Sequence, residues 1–506
     1  MNLRPYQKSS IRAIFKELHT TNNALVALPT GSGKTIIIKH LVEQVLEKKP
    51  NVRFLILVNK NVLIEQTRAK FNIPTGVYSA GYGEKDLAHH ITIASVQSIA
   101  NVEKLPRIDC IIVDEVHSLR LDKGLGKKVY DKLFSPKVVG FTATPFYPDG
   151  APIWGAEEFF KRPPCYTINI KDMTASGYLA PLKLAGQDDE QAIDVSNVKK
   201  NKDDYVLKDL ERVIFKSSDK VRIQVKDIIK RTASRQKVAI LCVSIRHAQY
   251  VLSLLTSAGV KATMLHSNMP SEQQARNKDK FVNGDVKFMV SVLMITTGWD
   301  MPALDAIAIC RPTRSKVLFV QAVGRVLRLN PGKDNGLVLD YGNIIPHLGH
   351  PYDVSASQTK KKISIKMCIN CFEYVPSNNA VCPECNTPFM VMCSACFEMK
   401  KYGERCKCGN TRHIDEYKNL TAEVSKNFKK HFIEDVKIYE YTSKGGRKMP
   451  RIDYYIKCVG FNRLLVSEFI FNQTYQQVKD RFKRPTWVTV RKNNKGYNEI
   501  VGKEYK

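Results

Sequence analysis

The sequence predicts an α/β fold made of two tandem parallel-sheet domains, followed by a small cysteine-rich module and a basic, β-rich C-terminal domain. Short apolar runs alternate with amphipathic stretches of helical period in two successive blocks, which is typical of open parallel sheets covered by helices. A polar stretch of mixed charge, GQDDEQAIDVSNVKKNKDDY at 186–205, separates the two blocks. After residue 340 this alternation stops, and closely spaced cysteines and then strand-like segments follow.

Each block contains five apolar runs with the length of buried parallel strands. These runs are 24–28, 54–58, 91–94, 110–113 and 138–141 in the first block, and 238–243, 262–265, 287–290, 306–309 and 336–339 in the second. The expected divisions are a first α/β domain at 1–175, a linker or insert at 176–218, a second α/β domain at 219–354, a cysteine module at 363–415 and a basic C-terminal domain at 421–506.

The composition excludes several classes of protein. Hydrophobic residues make up 43% of the chain and charged residues 25%, which is ordinary for a folded protein and excludes wholesale disorder. The longest apolar runs are far shorter than the ~20 residues of a membrane-spanning helix. The N-terminal sequence MNLRPYQKSS has no apolar signal core. We therefore expect a cytoplasmic protein without a membrane partner.

The chain is strongly basic, with 79 Lys and Arg residues against 49 Asp and Glu residues and a net charge of +30. Such an excess indicates a polyanionic partner, most often nucleic acid. The tail at 441–506 alone carries 15 basic and 5 acidic residues. Tyr454, Tyr455, Trp487 and Tyr497 lie among these cations and could stack on bases. The alternative for each ring is a place in the core of a small β-domain.

A phosphate-binding loop is predicted at LPTGSGKT, residues 28–35, between a strand and a helix. Gly31 and Gly33 let backbone N–H groups turn toward phosphate oxygens. Lys34 can reach the β- and γ-phosphates, and Thr35 can place its hydroxyl on Mg²⁺. Leu28 stands where the general pattern has its first glycine, but the two remaining glycines still allow the loop to close.

Two acids end the apolar strand in IIVDEVH, residues 111–117. Asp114 can hold Mg²⁺ through water, and Glu115 can act as general base for the attacking water. An isolated Asp-Glu pair would indicate only a solvated turn. Because this pair follows the phosphate loop in the same parallel α/β block, the two motifs together predict a nucleoside triphosphatase.

The order of further motifs resembles that of superfamily 2 helicases and translocases. The matching segments are LRPYQ at 3–7, LVNKNVLIEQ at 57–66, TIASVQS at 92–98, DEVH at 114–117, GFTATP at 140–145, ILCVSIRHA at 240–248, LHSNM at 265–269, VSVLMITTGWDMP at 290–302 and QAVGRVLR at 321–328. This resemblance implies two RecA-like domains, with ATP and Mg²⁺ in the cleft between them and nucleic acid across their top.

The resemblance also implies roles for single residues. Gln7 would read adenine, and Gly298 and Asp300 in the motif V segment, 290–302, would sense the nucleotide. Three residues would couple loss of the γ-phosphate to movement of the strand, and these are His117, Thr142 and Thr144.

The motif VI segment, 321–328, has a clear physical purpose. Negative charge develops on the γ-phosphate in the transition state, and guanidinium groups from the opposite domain can stabilise it. Arg325 and Arg328 are three residues apart and share one helical face, so both can supply them. Gln321 opens this segment, where many RNA-directed relatives have His, and this difference favours DNA.

A closer resemblance connects the chain with RadD-type helicases of DNA repair. It rests on IAICRPTRSKVLFVQAVGRVLRLNPGKDNGLVLDY at 307–341, on GYLAPL at 177–182 and on the cysteine module that follows. It implies a DNA helicase or translocase of repair, recombination or replication-fork processing in a bacterial or phage-infected cell. The implied partner is single-stranded, forked or branched DNA, and a single-strand-binding protein or a recombinase is a further candidate.

Two other functions stay open on the sequence. The chain could be a nucleic-acid-binding adaptor whose ATPase is regulatory and never unwinds a duplex. It could also be the motor subunit of a restriction-type system, because related phage and restriction-subunit motors have similar cores.

Eight of the 13 cysteines lie within one short segment, with the spacing C-x₂-C-x₁₀-C-x₂-C followed by C-x₂-C and C-x-C. They are Cys368, Cys371, Cys382, Cys385, Cys393, Cys396, Cys406 and Cys408. Eight thiolates suit two closed, structural Cys₄ zinc sites. Sequential pairing is the simplest arrangement, whereas interleaved sites, an iron–sulfur cluster and replacement of one thiolate by His413 are the alternatives.

Overall fold

The computed structural model describes residues 3–59, 61–148, 150–188, 191–201, 203–295, 301–354, 364–393, 399–407, 409, 413–414, 429–432, 435–442, 448–458, 461–469, 487–492 and 498–504. The chain divides into two compact units, Met1–Pro376 and Ser377–Lys506, and each is described by itself. Among the described residues, no helix combines the length and the apolar character needed to span a membrane.

The first domain of the first unit is built on an eight-stranded sheet. Its strands are β1 (Asn23–Ala27), β2 (Phe54–Val58), β3 (Thr75–Ser79), β4 (Glu84–Lys85), β5 (Ile91–Ser95), β6 (Cys110–Val113), β7 (Lys137–Thr142) and β8 (Tyr166–Thr167). The strand order is β4-β3-β5-β2-β6-β7-β1-β8, and all neighbours pair in parallel except β3 and β4.

In the described part of this domain, six α-helices accompany the sheet. They are α1 (Pro5–Thr20), α2 (Lys34–Lys48), α3 (Asn61–Arg68), α4 (Val96–Ile99), α5 (Gly124–Tyr130) and α6 (Ile170–Ala175). All five residues of β2 are buried, as expected for a central strand that is covered on both faces.

The second domain contains a six-stranded sheet in which all neighbours pair in parallel. Its strands are β9 (Leu182–Ala185), β10 (Lys237–Leu241), β11 (Ala262–Leu265), β12 (Phe288–Ser291), β13 (Leu304–Ile309) and β14 (Gly336–Asp340), in the order β11-β12-β10-β13-β14-β9. Its helices are α7 (Leu207–Lys216), α8 (Ser218–Arg231), α9 (Ile245–Ser257), α10 (Ser271–Val282), α11 (Lys316–Val326), α12 (Ile345–Leu348) and α13 (Pro351–Val354).

These two sheets confirm the predicted α/β class, and every predicted apolar run overlaps a strand. The structure differs from the expected linker at 176–218, because β9 lies within it and forms the edge of the second sheet beside β14. Helix α7 lies there as well. The first two of the four residues of β9 are only half-buried and one of them is a lysine, so the sequence carries no strong apolar run at this edge.

The remaining strands are antiparallel. They are β15 (Ile365–Met367) and β16 (Tyr374–Pro376) in the first unit, and β17 (Met390–Cys393), β18 (Met399–Lys401), β19 (His413–Ile414), β20 (Lys429–Phe432), β21 (Asp435–Thr442), β22 (Lys448–Cys458), β23 (Phe461–Phe469), β24 (Trp487–Lys492) and β25 (Asn498–Glu504) in the second. The predicted β-rich character of the C-terminal region agrees with this description. Tyr454 and Tyr455 lie in β22 and Trp487 begins β24, whereas Tyr497 lies outside the described residues.

Candidate active site

The order of the central strands brings three distant motifs together. Strand β7 lies between β1 and β6, so the carboxyl ends of all three meet at one edge of the sheet. The phosphate loop follows β1, the two acids follow β6, and the Thr142 segment ends β7. Ligand sites of open α/β sheets lie at this edge, so the topology places the candidate site here.

The phosphate loop has the backbone that its glycines predict. Gly31 has φ 85° and Gly33 has φ 76°, both in the left-handed region that glycine adopts without a steric cost. Gly33 directly precedes α2, whose first residues are Lys34 and Thr35. The N–H groups of this turn and of the helix start can therefore face an anion.

Lys34 is held inside the site. Its side chain is only 9% exposed, and Nζ lies 3.3 Å from Glu115 Oε1 and 3.4 Å from the carbonyl oxygen of Leu28. The ammonium group thus connects the phosphate loop with Glu115, the second of the two acids that follow β6.

Gln7 lies against the phosphate loop. Its Nε2 donates to the carbonyl oxygen of Ser32 at 3.1 Å, while its Oε1 accepts from the backbone N–H of Arg4 at 2.9 Å. The hydroxyl of Tyr6 donates to the same Ser32 oxygen at 2.6 Å. These contacts put Gln7 beside the nucleotide loop, and its role as adenine reader stays a prediction.

Glu115 adopts a strained backbone conformation. Its φ of 51° lies in the left-handed region, which costs a non-glycine residue on the order of 1–3 kcal/mol and is often found at functional sites. This turn directs the carboxylate back over the sheet edge, where Oε2 accepts from the N–H of Ala143 at 3.4 Å. The strained backbone therefore fixes the position of the carboxylate that we predict to act as the base.

The environment separates the pKa values of the two acids. Burial and the neighbouring charge of Glu115 raise the pKa of Asp114 to about 6, against the lowering effect of Lys34 and Arg325. Burial also opposes ionisation of Glu115, but Lys34, His117 and Arg325 outweigh it and lower the pKa of this carboxyl. Glu115 is therefore ionised at neutral pH, as a general base requires.

A chain of hydrogen bonds links the two domains through His117. Thr142 Oγ1 donates to the carbonyl oxygen of Thr144 at 2.9 Å, so it accepts from His117 Nδ1 at 2.8 Å. The ring proton then resides on Nδ1, and Nε2 accepts from Gln321 Nε2 at 3.4 Å. Burial lowers the pKa of His117, which keeps the imidazole neutral and this chain intact.

The motif VI residues of the second domain reach the same edge. Arg325 is 8% exposed in α11, and its charge lowers the pKa of both acids that follow β6. Arg328 follows the helix, and its Cγ would lie 3.2 Å from a Cβ atom placed on Gly31. A Cβ atom on Gly324 would lie 2.6 Å from Thr30 Cβ, so only glycine allows the helix to approach the loop this closely.

Buried hydroxyl groups without a hydrogen-bond partner lie in the phosphate loop and in the segment that follows β7. Within the described part of the chain, Thr30 Oγ1, Ser32 Oγ and Thr144 Oγ1 are buried without a hydrogen-bond partner. Buried polar groups are normally paired, so these hydroxyls, two of them within the left-handed glycine turn, indicate a polar ligand. The residues present fit ATP with Mg²⁺, which Lys34, Thr35 and Asp114 would hold. Gly298 and Asp300 lie outside the described residues.

Two cysteine turns of matching geometry form a candidate metal centre. Phe372 follows Cys371 with φ 58°, and Asn386 follows Cys385 with φ 57°. In each turn the first cysteine carbonyl accepts from that left-handed residue, with Phe372 N–H donating to Cys368 and Asn386 N–H donating to Cys382, both at 2.9 Å. The Sγ atoms of the four cysteines all lie within 4.8 Å of one another. Four converging sulfur atoms fit structural Zn²⁺.

The second predicted metal site is only partly described. Cys393 ends β17, and Cys406 is buried. Cys396 and Cys408 lie outside the described residues. A second zinc ion therefore stays a prediction.

Comparison with known families agrees with this geometry. A model described as the type III restriction enzyme res subunit matches residues 1–147, and a model of the helicase conserved C-terminal domain matches residues 220–330. The chain belongs to superfamily 2 of the helicases. The first matched segment contains the phosphate loop and both acids, and the second contains α11 with Gln321 and Arg325, followed by Arg328.

Several proteins are similar to this chain over its two α/β domains. The ATP-dependent helicase IRC3 of Saccharomyces cerevisiae is 28% identical over 67% of the chain, and the chain spans only 51% of that protein. A 51.5 kDa protein of a Lactococcus phage is 26% identical over 72% of the chain and 78% of its own length. An HsdR-subunit fragment of a type I restriction enzyme from Vibrio vulnificus has the same fold, with a TM-score of 0.52, 21% identity and coverage of 69% and 66% of the two chains.

The candidate site contains residues to which the motifs assign no role. Tyr6 and Ser32 contact each other beside Gln7, and Leu179 would lie 3.2 Å from a Cβ atom on Gly31. Leu179 belongs to the GYLAPL segment, which supports the closer family resemblance but has no function assigned to it. Thr30 precedes the glycines, and its contact with Gly324 depends on how closely the two domains approach.

Proposed function

We propose that this helicase is an ATP-driven motor that moves along DNA or unwinds it. The observation that carries the proposal is the meeting of Arg325 and Arg328, from the second domain, with the phosphate loop and Glu115 of the first. A site completed by two domains changes when the domains open or close, and this change can move a bound strand. A static adaptor does not need such a shared site.

The side chains divide the work of hydrolysis. Mg²⁺, when bound, would neutralise charge on the phosphate oxygens. Lys34 and the phosphate-loop N–H groups would bind and orient the triphosphate, while Glu115 would accept the proton of the attacking water at its carboxylate. Arg325 and Arg328 would stabilise the negative charge of the transition state from the opposite side.

The hydrogen-bond chain supports a coupling role for His117 and for the GFTATP segment at 140–145. His117 contacts Glu115 on one side and Gln321 on the other, since its Nδ1 also lies 3.4 Å from Glu115 Oε2, and Thr142 holds the ring through its hydroxyl. Loss of the γ-phosphate would change the contacts of the Glu115 carboxylate. The His117 imidazole would transmit that change to Gln321 in the second domain. Thr144 completes this relay through its carbonyl oxygen.

We propose DNA as the track and repair, recombination or replication-fork processing as the setting. The net charge of +30 favours a nucleic acid, and the restriction-enzyme names of several relatives favour DNA. The RadD-like segments at 177–182 and 307–341 favour a repair role. The expected substrates are single-stranded, forked or branched DNA, with a single-strand-binding protein or a recombinase as candidate protein partner.

The deciding experiment measures ATP hydrolysis by the purified full chain alone and with single-stranded DNA, duplex DNA, forked DNA or RNA. We expect one DNA form to increase kcat at least about tenfold, because strand binding favours the closed pair of domains. Robust hydrolysis that is indifferent to nucleic acid would favour the adaptor. Stimulation by RNA alone would contradict the repair setting, and co-purification of a methyltransferase would favour a restriction motor.

We propose one structural zinc ion at Cys368, Cys371, Cys382 and Cys385, and a second at the later cysteines. Replacement of Cys382 by serine should lower the zinc content of the purified protein by one equivalent, as measured by plasma mass spectrometry, because a closed site needs all four thiolates. The Cys165→Ser variant is the matched control, since Cys165 lies in the first domain, and its zinc content should not change. Iron in the wild-type protein, or an unchanged zinc content in Cys382→Ser, would contradict the assignment.

A further inference from the structure

Lys333 donates to three backbone carbonyl groups that belong to different parts of the second domain. Its Nζ lies 2.6 Å from the oxygen of Leu304, 2.9 Å from that of Arg328 and 3.3 Å from that of Pro302. An ammonium group has three donors, so these three acceptors satisfy it completely. None of the sequence motifs assigns a role to this residue.

The three acceptors connect two functional segments. Pro302 ends the motif V segment, and Leu304 begins β13. Arg328 is the last residue of motif VI, and its side chain reaches the phosphate loop at Gly31. The side chain of Lys333 therefore ties the end of motif V to the backbone of an arginine that faces the nucleotide.

We propose that Lys333 is a positioning residue that sets Arg328 relative to the motif V segment, so that the site is complete only when both segments are in place. This inference rests on the proposed ATPase. Motif V is the part of the second domain that the helicase resemblance connects with sensing of the nucleotide. A displacement there would reach the guanidinium group of Arg328 through the ammonium group and the Arg328 carbonyl.

The Lys333→Met variant tests this role, because it keeps the length of the side chain and removes all three donors. We expect kcat to fall at least about tenfold, since small misplacements of a catalytic group are costly, while KM for ATP changes less than about threefold. The Lys333→Arg variant should recover most of the loss. Lys280→Met on the exposed side of α10 is the matched control and should leave turnover unchanged.

The pH profile separates positioning from simple stabilisation. Burial and the charges of Arg235 and Arg328 lower the pKa of Lys333 to about 8, against the raising effect of Asp305. The charged form is therefore lost as pH rises through about 8, and we expect kcat of the wild type to fall there. Arginine stays charged, so Lys333→Arg should lack this alkaline fall. If Lys333 only stabilised the fold, its replacement would shift the melting temperature. The alkaline fall of kcat would then be the same in the wild type and in Lys333→Arg.

Hydrogen–deuterium exchange gives a readout that does not depend on turnover. We expect faster amide exchange at 301–305 and 327–330 in Lys333→Met than in the wild type, with no change in the first domain. Absence of wild-type turnover would defeat the proposed function alone. Unchanged exchange in these two segments, or an unchanged kcat in an active protein, would overturn the role of Lys333.

Discussion

The Glu115→Gln variant should hydrolyse ATP about 10²–10⁴-fold more slowly than the wild type, which is the range for loss of a general base. Glutamine keeps the size of the side chain and an oxygen that can accept from Ala143 N–H, but it cannot take a proton from water. The surrounding cations lower the pKa of Glu115, so the wild-type group is ready to accept at neutral pH. Single-turnover hydrolysis measures the chemical step without interference from product release.

Binding should survive this substitution. Lys34 remains in place when its partner Glu115 becomes neutral, so we expect the affinity for an ATP analogue to change less than about threefold. Glu47→Gln on the exposed side of α2 is the matched control and should turn over at the wild-type rate. Full hydrolysis by Glu115→Gln would rule out this carboxylate as the base.

Replacement of Arg325 by alanine should lower kcat by about 10³-fold or more, within the range for arginines that stabilise a phosphoryl-transfer transition state. The guanidinium group is buried at the cleft and lies close enough to Asp114 and Glu115 to lower the pKa of both. Lysine should rescue little, because a single ammonium group does not reproduce the planar fork. Steady-state turnover with ATP binding measured in parallel separates this effect from a loss of affinity.

The acid limb of the pH profile gives a second test of the same arginine. Removal of a positive charge raises the pKa of Glu115, so the base becomes protonated at a higher pH. We therefore expect the residual activity of Arg325→Ala to disappear at a higher pH than wild-type activity does. Arg276→Ala on exposed α10 should change neither kcat nor this limb. An unshifted limb would contradict the proximity of Arg325 to the acids.

Much of the fold is predictable from the sequence because its signals are local. The run FLILV is buried along its whole length, and it forms β2 with the predicted bounds. Gly31 and Gly33 determine a left-handed turn wherever that turn lies in space. The less apolar edge strand β9 escapes prediction, since its place depends on pairing with β14, which lies about 150 residues further along the chain.

The candidate site is predictable in its residue types and only partly in its contacts. The motifs name Glu115 and Arg325 but not the positive φ of Glu115, which results from the turn that must follow β6 at this edge. His117 and Gln321 each belong to a motif, yet their contact depends on the approach of two domains. Lys333 lies in the 307–341 segment but receives no role from the motifs, because its partners are backbone carbonyl groups, which no side-chain pattern identifies.

The sequence by itself determined the α/β class, the phosphate loop, the paired acids and the cysteine spacing, because apolar periodicity, glycine and short-range spacing act on the neighbouring backbone. Only the tertiary structure decided which of these groups touch. The order β6-β7-β1 brings Glu115, Thr142 and the loop to one edge, and the fit of Gly324 against Thr30 brings in the arginines. Such contacts depend on strand order and close packing over long chain separations, and no local pattern encodes them.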